Sequence, residues 1–372
     1  MKKKVLCIVQ LPPPVHGASL MNSSFVNSPL INEHYLLKVI NVATAGNIEG
    51  IGKFSVKKIF DSAGHFFRIA ATLVFYRPGL VYFTFSPTGF AFYRDAIYTG
   101  LVKLSGTELA IHLHGKGIRA GYTGNRLRDW ICQKVFTGTN VIFLSGILAG
   151  DMDGFAYKRK FIVNCGIPLT EPPPESRPAG NLCRLLFLSN YVRSKGIIDL
   201  IDAIAIVART NQHFHLRLVG KPYDVSIDEL KEHIARKGLD SLITICGPKY
   251  QGEKLSEFRQ ADVFIFPTYY TNEAFPLVLL EAMQWALPSI TTREGGIPDI
   301  IDNGVTGMLI DQRDITQLAE NILFLIGHAE ERRKMGQAAR KIFLEKFTLA
   351  TFEKNMLQAF SDILEKHAES KN

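Results

Sequence analysis

The sequence predicts an α/β protein made of two doubly wound, Rossmann-like domains, and three observations carry that prediction. At 372 residues the chain exceeds what one ordinary hydrophobic core serves and suits two domains of typical size. Short apolar runs alternate with longer segments of helical spacing, which is the pattern of a parallel sheet covered on both faces. The alternation occurs twice, on either side of a proline-rich stretch with the composition of a connector.

In chain order, the strand-like runs of the first half are VLCIVQL (5–11), LVYFTF (80–85), ELAIHLHG (108–115) and NVIFLS (140–145). PLTEPPPESRPAGN (168–181) cannot form a regular element and reads as the hinge. The second half continues with RLLFLS (184–189), FHLRLVG (214–220), LITICG (242–247), DVFIFP (262–267) and LPSITT (287–292). Phe352, Met356, Phe360 and Ile363 recur at spacings of three and four, so 349–367 is expected to be an amphipathic helix with one buried stripe; its docking partner is not readable. The expected division is a first domain over 1–167, a linker over 168–183, a second domain over 184–345 and a terminal helix over 346–372.

Composition narrows the functional classes. Hydrophobic residues make up 47% and charged residues 21%, which is the make-up of a folded chain rather than a disordered one. The five cysteines, Cys7, Cys132, Cys165, Cys183 and Cys246, are scattered and never form C-x-x-C, against a disulfide framework or a structural zinc site and in keeping with a reducing cytoplasm. MKKKVLCIVQLPPP begins like a signal peptide, but its apolar run stops at Gln10 and three prolines, so it reads as a first buried strand. Arg68, Arg77, Pro78, Pro87 and Arg94 interrupt the most apolar region, so no membrane span is expected. The net charge of +8 is unevenly placed: residues 1–170 hold 19 Lys/Arg against 8 Asp/Glu, and 171–372 hold 24 against 27.

The most informative segment is TNEAFPLVLLEAMQWALPSI (271–290). Pro276 suits the first turn of a helix, which places Glu273 just before the helix and Glu281 within it. Eight helical residues span about 12 Å. At that separation one carboxylate can reach a sugar and the other a ribose, while the unpaired N–H groups of the helix start face a diphosphate. Glu281 is flanked by Leu279, Leu280, Ala282 and Met283, and an ionised carboxylate in apolar surroundings needs hydrogen-bond partners. Lys195 follows a strand and a turn, where an ammonium can stabilise charge building on a leaving group. Gly295 and Gly296 form a strand-to-helix turn whose backbone can approach an anion closely.

With these residues in view, the chain resembles glycosyltransferase family 4, retaining enzymes of the two-Rossmann GT-B fold. EAFPLVLLEAM resembles the family's E-x7-E signature and lies after the fourth strand of the second domain. SNYVRSKGIIDLIDAI (189–204), LRLVGKP (216–222), ADVFIFPTYYTNEAFP (261–276) and REGGIPDIIDNGVTGMLID (293–311) are similar to its other blocks, in order. The resemblance implies two domains facing each other across a cleft. It assigns Glu273, with Ala274 and Phe275, to the sugar hydroxyls, Glu281 to the ribose, Lys195 to the diphosphate, and Gly295 and Gly296 to donor binding. The family's usual arginine is replaced by Asn190, and Arg193 is the candidate substitute.

In the first domain LPPPVHGASL (11–20) is similar to the family's glycine-bearing loop, with Gly17 at the close-approach position and His16 where a glycine is usual. IHLHGKG (111–117) ends a strand; alternation puts His112 and His114 on one face, and the family motif selects His114, beside the transferred sugar. Catalysis is thus assigned to His114, Glu273 and Lys195, with no cofactor and no metal. Asp151-Met152-Asp153 is a D-x-D, the metal-holding pattern of a different glycosyltransferase class, but it lies in a polar loop of a two-domain chain. No G-x-G-x-x-G with a later acidic residue follows a strand, which disfavours a dehydrogenase.

The expected donor is a UDP- or GDP-sugar. For the acceptor side, KFSVKKIFDSAGHFFRIAATLVFYRPG (53–79) mixes Lys53, Lys57, Lys58 and Arg68 with Phe54, Phe60, Phe66 and Phe67. That mixture fits either an anionic membrane surface or an ordinary core helix with a solvated basic face. Nucleic acid is not an expected partner, because no binding motif is present. The expected function is transfer of a sugar to a lipid-linked or membrane-proximal glycan in cell-surface polysaccharide assembly, by a cytoplasmic protein peripheral to the inner face of the membrane. The alternatives are a nucleotide-sugar epimerase of the same fold and a catalytically silent subunit that binds a partner enzyme.

Overall fold

The computed structural model describes residues 2–43, 56–118, 125–170 and 182–369, with backbone only for 56–58 and 366–369. Lys53, Phe54 and most of the expected linker (171–181) lie outside the described residues, as do the side chains of Lys57 and Lys58. The chain divides into two compact units: Met1–Gly166 with Leu349–Asn372, and Ile167–Thr348.

The first unit holds a six-stranded sheet of β1 (Lys3–Val9), β2 (Tyr35–Asn41), β3 (Leu80–Phe85), β4 (Glu108–Leu113), β5 (Asn140–Phe143) and β6 (Arg159–Ile162), in the order β2-β1-β3-β4-β5-β6. Every pairing is parallel. Side-chain alternation divides the core between the two faces. Val81, Phe83 and Phe85 of β3 pack with Ile69, Phe92, Val102, Val135 and Phe136 from helices Val56–Tyr76, Gly89–Leu104 and Arg126–Phe136. Tyr82 points the other way, against Phe25 of helix Gly17–Val26 and Phe360.

Phe360 lies on the terminal helix Leu349–Glu369, whose expected stripe of Phe352, Met356, Phe360 and Ile363 is fully buried. Its rings meet Phe25, Tyr35 and Tyr82 at 5.5–5.7 Å between centroids, and Arg159 donates to Asp362 O at 2.7 Å. The end of the chain thus completes the core of the first unit.

The second unit repeats the plan with β7 (Cys183–Leu188), β8 (Phe214–Val219), β9 (Ile243–Gly247), β10 (Val263–Phe266), β11 (Ser289–Thr292) and β12 (Gly307–Ile310), ordered β12-β11-β10-β7-β8-β9 and parallel throughout. Buried Leu185, Leu186 and Phe187 of β7 and Val263–Phe266 of β10 form the middle of that sheet.

Several boundaries differ from the expected ones. Cys183, expected at the end of the linker, opens β7 and pairs with Phe214, because its side chain is buried and the neighbouring strand extends that far. Ile167, expected in the first domain, belongs to the second unit through its N–H bond to Phe347 O and its parallel bridge to Thr348. The same bonds keep 346–348, expected with the terminal helix, in the second unit. The sequence reading also missed β2, β6 and β12. All three are sheet edges, and β2 and β6 are half exposed with charged residues in them, so the apolar run that marks a central strand is absent. All five cysteines are free.

Candidate functional site

In the second sheet the order reverses between β7 and β10, so the connections leaving those adjacent strands run to opposite faces and open a crevice at the strand ends. Both connections carry candidate residues. After β7 the chain makes a single 3-10 turn, Arg193–Lys195, and enters helix Ile197–Val207 through Gly196. Gly196 has φ +79°, and a side chain there would run into the carbonyl of Pro267 beyond β10, so this position needs glycine. The two loops are tied where Tyr269 N–H donates to Ser194 O at 2.8 Å.

That tie brings the Lys195 ammonium onto the Glu273 carboxylate in a direct ion pair. The side chains are 15% and 12% exposed, so water screens the pair weakly. Lys195 Nζ also lies over the rings of Tyr270, at 4.5 Å, and Phe266, at 5.3 Å. The lysine is therefore fixed from two sides with its charge at the crevice.

The turn after β11 closes against the same carboxylate segment. Gly295 has φ +57°, and a Cβ there would strike the carbonyl oxygen of Glu273. Gly296 N–H donates to Ala274 O at 2.7 Å. Ala274 and Phe275 are buried, and the Phe275 ring packs on Phe347. Pro276 precedes helix Leu277–Gln284, one position earlier than a first-turn proline, and Glu281 lies inside that helix. Its apolar neighbours Leu279, Leu280, Ala282 and Met283 are buried, and the Glu281 carboxylate turns outward to Lys254 Nζ at 2.5 Å.

Lys195, Glu273, Ala274, Gly295 and Gly296 thus converge. Arg193 is held elsewhere: its guanidinium ion-pairs with Glu229 in a largely exposed position, and its N–H donates to Asp224 at 2.8 Å. Asn190 is exposed and brings no charge. Lys254 and Tyr270 were not singled out by the sequence. Lys254 stands in QGEKLSEFRQ, an unremarkable polar helix, so its only available signal was one more lysine among 43 Lys/Arg.

In the first unit, Gly17 is the first residue of helix Gly17–Val26, with open space where a side chain would stand. His16 caps that helix: its Nδ1 accepts from Ser19 N–H while Ser19 Oγ accepts from His16 N–H. His112 is wholly buried within β4, with Nδ1 2.8 Å from the Tyr82 hydroxyl. His114 lies just past the strand end, its ring 4.1 Å from that of His112 and its buried Nε2 without a hydrogen-bond partner among the described residues. Burial, with the His16 charge adding to it, pushes His114 down to about 3, so its imidazole is neutral near pH 7. Of the D-x-D, Asp151 accepts N–H bonds from Gly117 and Ile118 at 2.7 and 2.8 Å and so pins the loop that follows His114.

Residues 173–342 match the family model for glycosyl transferases group 1. The chain carries a glycosyl transferase group 1 domain. Lys195, Glu273, Glu281, Gly295 and Gly296 all fall inside that domain. The D-inositol 3-phosphate glycosyltransferase of Arthrobacter sp. (strain FB24) is 33% identical over 164 residues, 44% of this chain and 38% of that protein. The capsular polysaccharide biosynthesis glycosyltransferase CapM of Staphylococcus aureus is 29% identical over 163 residues, 44% of this chain and 41% of that protein. The aligned region thus spans about two fifths of these relatives.

Among solved structures, a glycosyltransferase from Rickettsia africae ESF-5 superimposes with a TM-score of 0.77 at 17% identity, over 98% of this chain and 99% of that one. Anabaena Alr3699/HepE in complex with UDP does so with a TM-score of 0.74 at 17% identity, over 97% and 100%. Around the group 1 domain the whole chain therefore has the GT-B fold.

Proposed function

We propose that the protein is a retaining glycosyltransferase that moves a sugar from a UDP- or GDP-sugar to a lipid-linked or membrane-proximal glycan in cell-surface polysaccharide assembly. The observation that carries the reading is the Lys195–Glu273 pair, held against the Gly295-Gly296 turn at the switch point of the group 1 domain. An ammonium fixed there suits the diphosphate that departs, because a preorganised charge in a poorly screened site stabilises the leaving group without reorganising. Glu273 would then accept from the sugar hydroxyls, Glu281 from the ribose, and Gly295 and Gly296 would approach the phosphates with bare backbone. Gly17 is proposed as a phosphate-approach position and His114 as a neutral hydrogen-bonding partner of the transferred sugar.

UDP is favoured by the Anabaena structure that contains it, and polysaccharide assembly by the name of the Staphylococcus aureus relative. In this reading no metal is required, since Lys195 and the backbone N–H groups meet the diphosphate. With Arg193 committed to Glu229, Lys195 is the cation of the clamp among the described residues. Among the described residues no helix is long and apolar enough to cross a membrane; the proposal is a cytoplasmic protein that meets the membrane at its inner face through the basic first unit.

The test is a thermal-shift screen of UDP, GDP and their sugars, followed by slow donor hydrolysis in the parent and in Glu273→Ala. A nucleotide-dependent rise in melting temperature and hydrolysis lost in the variant are expected. No shift with any nucleotide, or equal hydrolysis in both proteins, overturns the reading and leaves a silent subunit.

A further inference from the structure

Helices Gly89–Leu104 and Arg126–Phe136 lie over the same face of the first sheet, and between them is a cavity of about 390 Å³. That volume falls within the range of ligand pockets, roughly 300–1,000 Å³. Its walls are Tyr93, Ile97, Gly100, Trp130 and Ile131, with Lys134 at the rim. Ile97 is 61% exposed and Trp130 59%, so the cavity opens onto an apolar surface. Phe90 and Leu104 continue that surface along one helix and Leu127 along the other. The adjoining helix Val56–Tyr76, joined through the Tyr98 hydroxyl to Ser62 O at 2.7 Å, adds exposed Phe60, Phe67 and Val74, seven residues apart along one side. An apolar face of this extent marks an interaction site on a folded protein.

The charges identify the partner. Arg68, Arg126 and Lys134 are exposed on these three helices, Lys134 at the cavity itself, and Lys103 lies beside Lys134. The Lys103 ammonium donates to Lys134 O at 2.5 Å and Thr137 O at 2.8 Å, which holds it at the end of helix Arg126–Phe136. Of the carboxylates described on these three helices, Asp95 is buried against Arg94 and Asp61 and Asp129 are half-buried. A cationic rim around an apolar mouth with a tryptophan at its edge complements an anionic lipid surface. Gly100 adds an independent point. It stands inside a helix, where glycine costs about 1 kcal/mol relative to alanine, and among the described residues no atom outside its own stretch of helix lies within 4 Å of where its side chain would be. The space beside Gly100 is therefore open toward the cavity it lines.

We propose that this face docks on an anionic bilayer, with one lipid acyl chain entering the cavity between the two helices and the headgroup phosphate meeting Lys103 and Lys134. The proposal deepens the membrane contact proposed above and does not depend on donor chemistry, which the following measurements do not read. The full chain is mixed with vesicles of phosphatidylcholine, with or without phosphatidylglycerol, and then with lipid brominated along the acyl chain.

Flotation with the phosphatidylglycerol vesicles only, and quenching of tryptophan emission by the bromines, are expected. Trp285 is buried in the second unit, so the quenching reports Trp130 and disappears in Trp130→Phe. Gly100→Leu fills the cavity from within and is expected to abolish quenching while retaining flotation. Lys134→Glu, a surface change that leaves the core intact, is expected to weaken flotation at least threefold. Absence of flotation, flotation without bromine quenching, or quenching in Gly100→Leu equal to the parent overturns the proposal. Retention of the UDP-dependent thermal shift in these variants separates this outcome from failure of the glycosyltransferase reading.

Discussion

Lys195 and Glu273, 78 residues apart in the chain, form a nearly buried ion pair at the point where the second sheet reverses its strand order. The pair exists because the loops after β7 and β10 are stitched together at Ser194 and Tyr269 and because glycine stands at 196 and 295, where any side chain would push the loops apart. Removing either partner leaves a charge with little water around it. Glu273→Ala is expected to lower stability by roughly 1–3 kcal/mol and donor turnover by at least a hundredfold, measured by urea denaturation and nucleotide release. Glu273→Gln, which keeps the shape but not the charge, is expected to recover stability more than turnover.

Gly295→Ala tests whether the turn positions the carboxylate. The backbone there is left-handed and the added methyl meets the Glu273 carbonyl, so a loss of at least about 2 kcal/mol is expected from strain and displacement together. Donor hydrolysis is expected to fall with it. A variant as stable and active as the parent would show that the close approach is not required.

Lys254 holds Glu281, and the ribose is proposed to bind the same carboxylate. If the lysine orients the carboxylate for the ribose, Lys254→Ala weakens UDP binding by roughly three- to tenfold, about 0.7–1.4 kcal/mol, as read by calorimetry. Tighter binding in the variant would mean that lysine and ribose compete for Glu281.

The first unit should lose stability in acid. Burial depresses His114 to about 3, whereas in the unfolded chain a histidine titrates near 6.5. The folded-state value is the lower one, so the unfolded chain binds the extra proton between those limits. The contribution is complete above about pH 6.5 and is lost as pH falls toward 3, at up to about 1.4 kcal/mol per pH unit. Denaturation midpoints compared at pH 7.5 and 5.0 should fall less in His114→Gln than in the parent. His112 and His16, also lowered by burial, shift in the same direction, so the slope is reduced rather than abolished.

The terminal helix is a structural part of the first unit. Phe360→Ala removes a buried ring that meets three others, and a loss of about 3–5 kcal/mol is expected. A melting transition of the first unit that moves while UDP still protects the group 1 domain would locate the effect.

By itself the sequence determined the two-fold α/β plan, because central parallel strands are buried on both faces and must be apolar runs whatever surrounds them. It also placed Glu273 before a helix and Glu281 within it, since Pro276 and the local spacing act over a few residues. The edge strands β2 and β6 were not legible, because a half-exposed strand admits charge and is recognised only by the neighbour it pairs with, and β12 is a buried run of only four residues opened by a glycine. Nor was the destination of the terminal helix, whose stripe states that it docks but not on what; Phe25, Tyr35 and Tyr82 decide that from more than 270 residues away. The partners of the charged residues were likewise decided by tertiary structure. Arg193 goes to Glu229, Lys254 to Glu281 and Lys195 to Glu273 because tertiary geometry, not sequence distance, sets which charges meet.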